Sequence, residues 1–267
     1  MKIALIQSKP KFGKKEENIN YIKKCTEKID AQLFVFPEMF LTGYLCRDYI
    51  ILLSEHIDGK SVFKISKIAM ENDCHIIFGM PEKSKKVEGL IYNSAVFIHP
   101  NENVDCYHKW HLANFGPFQE KQFFAKGNEL SVFKTELAKI GILICYDIFF
   151  PEICRAYAIQ GAEILVCISA SPSITRVYFE KVMLARAIEN TTFFLYSNLI
   201  GTEESLTFWG GNTAVSPRGE IIAKGKYFEE DAVICDIDLK EIKVARQFRP
   251  TLRDSNSEIY EKILKIV

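Results

Sequence analysis

Short apolar runs alternate with amphipathic stretches along the chain. Lys2 to Gln7 is an apolar run bounded by Ser8 and Pro10, which reads as a buried strand. Glu17 to Ile29 places Ile19, Ile22 and Cys25 near helical spacing, with Lys and Glu between them. Leu33 to Phe36 is a second strand, stopped by Pro37. Ser61 to Asn72 reads as helix and His75 to Gly79 as strand. Tyr92 to Ile98 and Val104 to His108 form an antiparallel pair across a Pro100-Asn101 turn. Lys139 to Cys145 is again an apolar strand, followed by a helix over Glu152 to Gln160. A strand at Ile164 to Ser169 and a long helix at Tyr178 to Asn190 come next. Phe193 to Asn198, Asn212 to Ser216, Ile221 to Lys224 and Ala232 to Asp236 complete the strands.

The strands are apolar without interruption, so they are expected to be covered on both faces. With hairpins added to strand-helix units, this predicts an α/β layered protein with mixed sheets. No linker, repeat or low-complexity run divides the 267 residues, so they read as one domain.

Composition mainly excludes. The 34 Lys and Arg balance 34 Asp and Glu, which gives no electrostatic case for binding nucleic acid or a membrane surface. The longest apolar runs fall far short of the roughly 18 residues a membrane span needs. The N-terminus lacks the order of regions that marks a signal peptide. The eight cysteines contain no CxxC pair, and a reduced, cytoplasmic interior with mostly buried thiols is the expectation.

Three segments place a reactive side chain just past an apolar strand, where α/β proteins build sites. In Phe36-Pro37-Glu38-Met39-Phe40-Leu41-Thr42-Gly43-Tyr44, the apolar neighbours would raise the pKa of Glu38 toward the range of a general base. A Glu facing water at a strand end is the plainer alternative. In Tyr107-His108-Lys109-Trp110-His111-Leu112, Lys109 could hold a positive charge toward a developing oxyanion, or be a solvated loop residue. Cys106, His108 and His111 also lie close in sequence. A zinc site lacks its fourth ligand there, and on a strand His111 would not share the face of the other two. No metal is expected. In Ile144-Cys145-Tyr146-Asp147-Ile148-Phe149-Phe150-Pro151-Glu152, Cys145 ends a strand ahead of a helix. A thiol at such an elbow would be exposed, with main-chain N–H groups that favour thiolate and cradle an oxyanion. A buried structural Cys is the competing reading.

Together these segments resemble the nitrilase superfamily of carbon-nitrogen hydrolases. The resemblance rests on Phe-Pro-Glu38 with Thr42-Gly43-Tyr44, on His108-Lys109 with Leu112, and on Cys145-Tyr146-Asp147 with Pro151-Glu152. It extends through Phe118-Gln119-Glu120-Lys121, Arg186 to Asn190, Asn198 to Gly201 and Gly211 to Ala214. It implies a four-layer α-β-β-α sandwich and a Glu-Lys-Cys triad that cleaves non-peptide carbon–nitrogen bonds through a thioester. Glu38 would be the base and Cys145 the nucleophile. Lys109, with the Tyr146 backbone N–H, would stabilise the oxyanion. Glu120 would help to position substrate and Lys109, Tyr44 and Tyr146 would also position substrate, and His108 would belong to the pocket. Water is the second substrate, no cofactor is implied, and a homodimer or higher homo-oligomer through the Glu152 and Tyr178 helices is expected. The 267 residues are used up by the hydrolase, so no synthetase half is expected. An amidase releasing ammonia from a small carboxamide leads; a nitrilase or a glutaminase-like ammonia-delivering subunit remains open. Glu203, Glu204 and Arg176 are candidates to read a substrate's polar end.

Overall fold

The computed structural model describes residues 1–266. Its strands are β1 (Lys2–Gln7), β2 (Leu33–Val35), β3 (His75–Lys83), β4 (Ile91–Ile98), β5 (Val104–His108), β6 (Phe133–Lys134) and β7 (Lys139–Ile144). They continue with β8 (Ile164–Ser169), β9 (Phe193–Asn198), β10 (Ile200–Glu203), β11 (Leu206–Trp209), β12 (Thr213–Val215), β13 (Ile221–Lys224) and β14 (Asp231–Asp236). The helices are α1 (Lys15–Lys28), α2 (Ile50–Leu53), α3 (Lys60–Glu71), α4 (Glu120–Phe123), α5 (Pro151–Ile159), α6 (Arg176–Asn190), α7 (Lys240–Phe248) and α8 (Ser257–Ile266).

Two six-stranded mixed sheets result, in the orders β14-β1-β2-β3-β4-β5 and β13-β12-β9-β8-β7-β6. Parallel pairing is confined to β1-β2-β3 and β7-β8-β9, where helical crossovers join the strands. The strand period of two then sorts the side chains between layers. Ile3, Leu5, Val35, Ile77 and Phe97 face the second sheet and share a core with Ile142, Ile144 and Leu165. The alternate positions Ala4, Ile6, Phe34, Ile76 and Phe78 pack outward on Ile19 and Ile22 of α1 and Val62 and Ile65 of α3. On the far side, α5 and α6 cover the second sheet, with Tyr157 O–H donating to the Ile142 carbonyl at 2.8 Å. The layers run α-β-β-α, as the resemblance implied.

Two departures have clear causes. β3 continues to Lys83, past the Gly79 at which the apolar run was expected to stop. Beyond Val35 no β2 residue pairs with it, and the Glu55 segment takes that edge: Glu55 N–H donates to the Pro81 carbonyl at 3.3 Å and Lys83 N–H to the Glu55 carbonyl at 2.7 Å, so neither bond asks Pro81 for an N–H. The β10-β11 hairpin was not expected, because Gly201 breaks its alternation, and neither were α7 and α8. No helix among the described residues is long and apolar enough to cross a membrane.

Candidate active site

Glu38 follows β2 on a backbone that leaves the strand abruptly. Pro37 ends the ladder, and Met39 takes a left-handed φ of 54°. This turn lies against Gly79 of β3. A Cβ built there would stand 2.2 Å from the Met39 nitrogen and 2.7 Å from the Glu38 Cα. The close approach sets where the carboxylate sits. Glu38 is fully buried, and its oxygens are met by donors rather than by the apolar neighbours that the sequence suggested. Asn93 Nδ2 donates to Oε1 at 2.7 Å, Lys109 Nζ to Oε1 at 2.8 Å, and the Ala170 backbone N–H to Oε2 at 2.7 Å.

Lys109 leaves the end of β5 with its main chain bracketed. Its N–H donates to the Asn93 carbonyl at 2.9 Å and its carbonyl accepts from Gly127 N–H at 2.7 Å. Its ammonium is buried between two carboxylates, 2.8 Å from Glu38 Oε1 and 2.7 Å from Glu120 Oε1. Burial alone would strip this proton, but Glu120 and Glu38 outweigh it and hold the ammonium well above the ordinary lysine range. Glu120 opens α4 and also accepts from Tyr44 O–H at 2.7 Å and from Ala113 N–H at 2.8 Å. Its carboxyl is pushed up, by burial first and by the Glu38 charge against the pull of Lys109. Burial and the same carboxylates hold the Tyr44 phenol well up, so it stays a donor. Two carboxylates thus share one ammonium.

Cys145 begins a 3-10 turn directly after β7, at a left-handed φ of 47°. The strained residue is held by its surroundings. Asp147 Oδ2 accepts from the Ile144 N–H at 3.2 Å and from Tyr107 O–H at 2.8 Å, and Oδ1 accepts from the His111 N–H at 2.8 Å. The elbow is thereby tied to the segment that carries Lys109. The thiol is not exposed as its strand-end position suggested. It is 8% accessible, and burial, then the Glu38 carboxylate, push its pKa well up against the lowering by Lys109. The resting group is a thiol, not the thiolate that the elbow geometry alone would favour.

Cys145 and Tyr44 border a cavity of about 450 Å³ walled by Phe115, Phe118, Tyr146, Phe149, Tyr178 and Phe179. Glu203, Glu204 and Arg176 do not line it. Glu203 accepts from the Tyr44 and Leu45 N–H groups at 3.1 and 2.8 Å, Glu204 pairs with Arg47 at 2.8 Å, and Arg176 stacks over Tyr227 at 4.6 Å. His108 is also absent from this wall. It points to the outer face of the sheet, stacked on Tyr92, with Nε2 2.9 Å from Glu82 Oε2 and 3.8 Å from Cys106 Sγ. His111 parts from that pair and goes to Asp147, because the chain bends after β5.

The contacts by which Asn93, Gly79, Gly127 and Ala170 place the predicted groups escaped sequence reasoning, although Gly127 and Ala170 lie in segments that share the family resemblance. One signal was present, since Asn93-Ser94 interrupts an otherwise apolar strand, and a buried polar pair needs partners.

A family model described as carbon-nitrogen hydrolase matches residues 2–247. A probable nitrilase of Schizosaccharomyces pombe is 30% identical over 270 residues, covering 98% of each chain. An omega-amidase of Bos taurus is 32% identical over 274 residues, covering 97% of this chain and 96% of its own. The crystal structure of a carbon-nitrogen hydrolase from Helicobacter pylori G27 shares the fold at a TM-score of 0.90 and 24% identity. It covers 99% of this chain and 98% of that one.

Proposed function

Because the chain belongs to the carbon-nitrogen hydrolase family, we propose that it is an amidase that hydrolyses a small carboxamide to a carboxylic acid and ammonia through a thioester on Cys145. The observation that carries this reading is the buried Glu38–Lys109–Glu120 network within Coulombic reach of a protonated Cys145 at a cavity.

In this reading the Cys145 thiol gives its proton to Glu38 as the sulfur attacks the amide carbon. A buried neutral thiol needs such a base, and the carboxylate supplies one in place. Negative charge moves to the carbonyl oxygen, where the Lys109 ammonium and the Tyr146 backbone N–H stabilise it. Glu38 then protonates the leaving nitrogen, ammonia departs, and the thioester remains. Water, losing a proton to Glu38, attacks the thioester, and the acid leaves as the thiol is restored. Glu120 holds the ammonium from its other side, with Tyr44 fixing Glu120. A homodimer through α5 and α6 belongs to the same reading, supported by the exposed apolar side chains of Ile159, Ile174, Val177 and Tyr178.

Intact-protein mass after rapid quenching with matched amides and nitriles tests it. The expected result is a transient acyl adduct on Cys145 with amides, accompanied by free ammonia. Ammonia from nitriles alone would replace the amidase reading by a nitrilase.

Gly79→Ala addresses the placement of the base. The added methyl must push on the Met39 nitrogen and the Glu38 Cα. Displacements on the scale of 1 Å cost on the order of 10²-fold in rate. Ammonia release by Gly79→Ala is therefore expected to fall by about that factor. Full activity would mean that this contact does not position Glu38.

A further inference from the structure

The amidase reading leaves the acyl group unspecified, and the cavity beside Cys145 bears on it. Resting on that reading, we propose that the enzyme is specific for uncharged carboxamides with an aromatic or comparably bulky apolar acyl group, and that it rejects amides carrying a second, ionised carboxylate.

The wall is the first argument. Phe115 meets Phe118 edge-on at 5.5 Å and lies tilted against Tyr146 at 5.0 Å, and Phe149 meets Phe179 edge-on at 4.9 Å. Rings so arranged present edges and faces to a further ring, in the geometries aromatic pairs favour. The 450 Å³ between them is large for an acetyl group and suits a substrate with a ring. Thr175 and the tyrosine hydroxyls are the polar side-chain groups on the lining.

Charge is the second argument, and it is independent of shape. No Arg, Lys or His among the described residues lines this cavity. The buried ammonium of Lys109 already has Glu38 at 2.8 Å and Glu120 at 2.7 Å. Arg176 and Arg47 are turned to Tyr227 and Glu204. A carboxylate at the far end of an acyl chain would lose its water with no cation to meet it, beside an ammonium already taken up by two carboxyl groups. The same end of an apolar substrate loses water at a gain.

The experiment compares kcat/KM for ammonia release from 3-phenylpropanamide, acetamide and succinamate with the wild-type protein, and measures binding of 3-phenylpropanamide to Cys145→Ala by calorimetry. The expected result is a preference of roughly 10²-fold for the aromatic amide over both others, within the range that apolar pockets achieve. Phe115→Ala and Phe149→Ala should each narrow the aromatic-to-acetamide ratio by about tenfold. Succinamate or acetamide hydrolysed as well as the aromatic amide would overturn the inference and leave the amidase reading standing. Ammonia from none of the amides, without binding to Cys145→Ala, would overturn that reading and the inference with it.

Discussion

Cys145→Ala is expected to release no ammonia above background, a loss of roughly 10⁴-fold or more in kcat, because removal of a nucleophile leaves only binding and oxyanion stabilisation. The loss should come with little change in stability. The side chain is one sulfur atom on a backbone whose φ of 47° is held by Asp147 and not by the thiol. A thermal midpoint within a few degrees of wild type, on the order of a 1 kcal/mol change, is the expected control. Cys145→Ser should also be nearly inactive, since Glu38 would have to deprotonate an alcohol rather than a thiol. The measurement is ammonia release alongside intact mass. Turnover by Cys145→Ala would remove the thioester from the mechanism.

Lys109→Met is expected to have the largest effect on stability as well as abolishing turnover. It removes the one ammonium between two fully buried carboxylates while keeping much of the side-chain volume. Breaking a buried ion pair from one side costs about 3–5 kcal/mol, because the remaining charge is left uncompensated. Here two charges are left. The pH dependence follows from Glu120, whose carboxyl is already pushed up by burial and by Glu38, and would rise further without Lys109. A carboxyl with a raised pKa in the folded state binds its proton more tightly there than when unfolded. Its stabilising contribution is therefore present below the ordinary Glu value of 4.5 and is lost as pH rises toward neutrality. Lys109→Met should accordingly regain midpoint temperature relative to wild type between pH 7 and about 5. Adding Glu120→Gln should recover part of the loss at pH 7. A Lys109→Met protein as stable as wild type at pH 7 would contradict the charge pairing assigned to the network.

Much of the sandwich is legible in the sequence because its strands are buried on both faces. β1, β7, β8 and β9 appear as short apolar runs, and α1, α3 and α6 as stripes at helical spacing. What the pattern hides is pairing. Whether Pro81 ends a strand depends on whether β2 reaches it, and β2 is only three residues long. The site divides in the same way. Glu38 and Cys145 can be singled out because each follows a run of apolar residues, Lys109 because it follows a strand, and Glu120 by its place in a family pattern. Their partners are separated from them by long stretches of chain: Ala170 donates to Glu38 across 132 positions and Asn93 across 55. The ionisation state of Cys145 was also beyond the sequence. Strand-end position pointed to an exposed thiolate, whereas the packing around it buries a thiol.

The sharing of one ammonium by two carboxylates also bears on how a catalytic cycle ends. On the amidase reading, the neutral substrate becomes an anion in place, and that anion is a third negative charge on the cation that Glu38 and Glu120 already occupy. The acid is formed where it is least welcome. On that reading, the two carboxylates that hold Lys109 leave the product anion no counter-ion of its own, which disfavours its staying beside them.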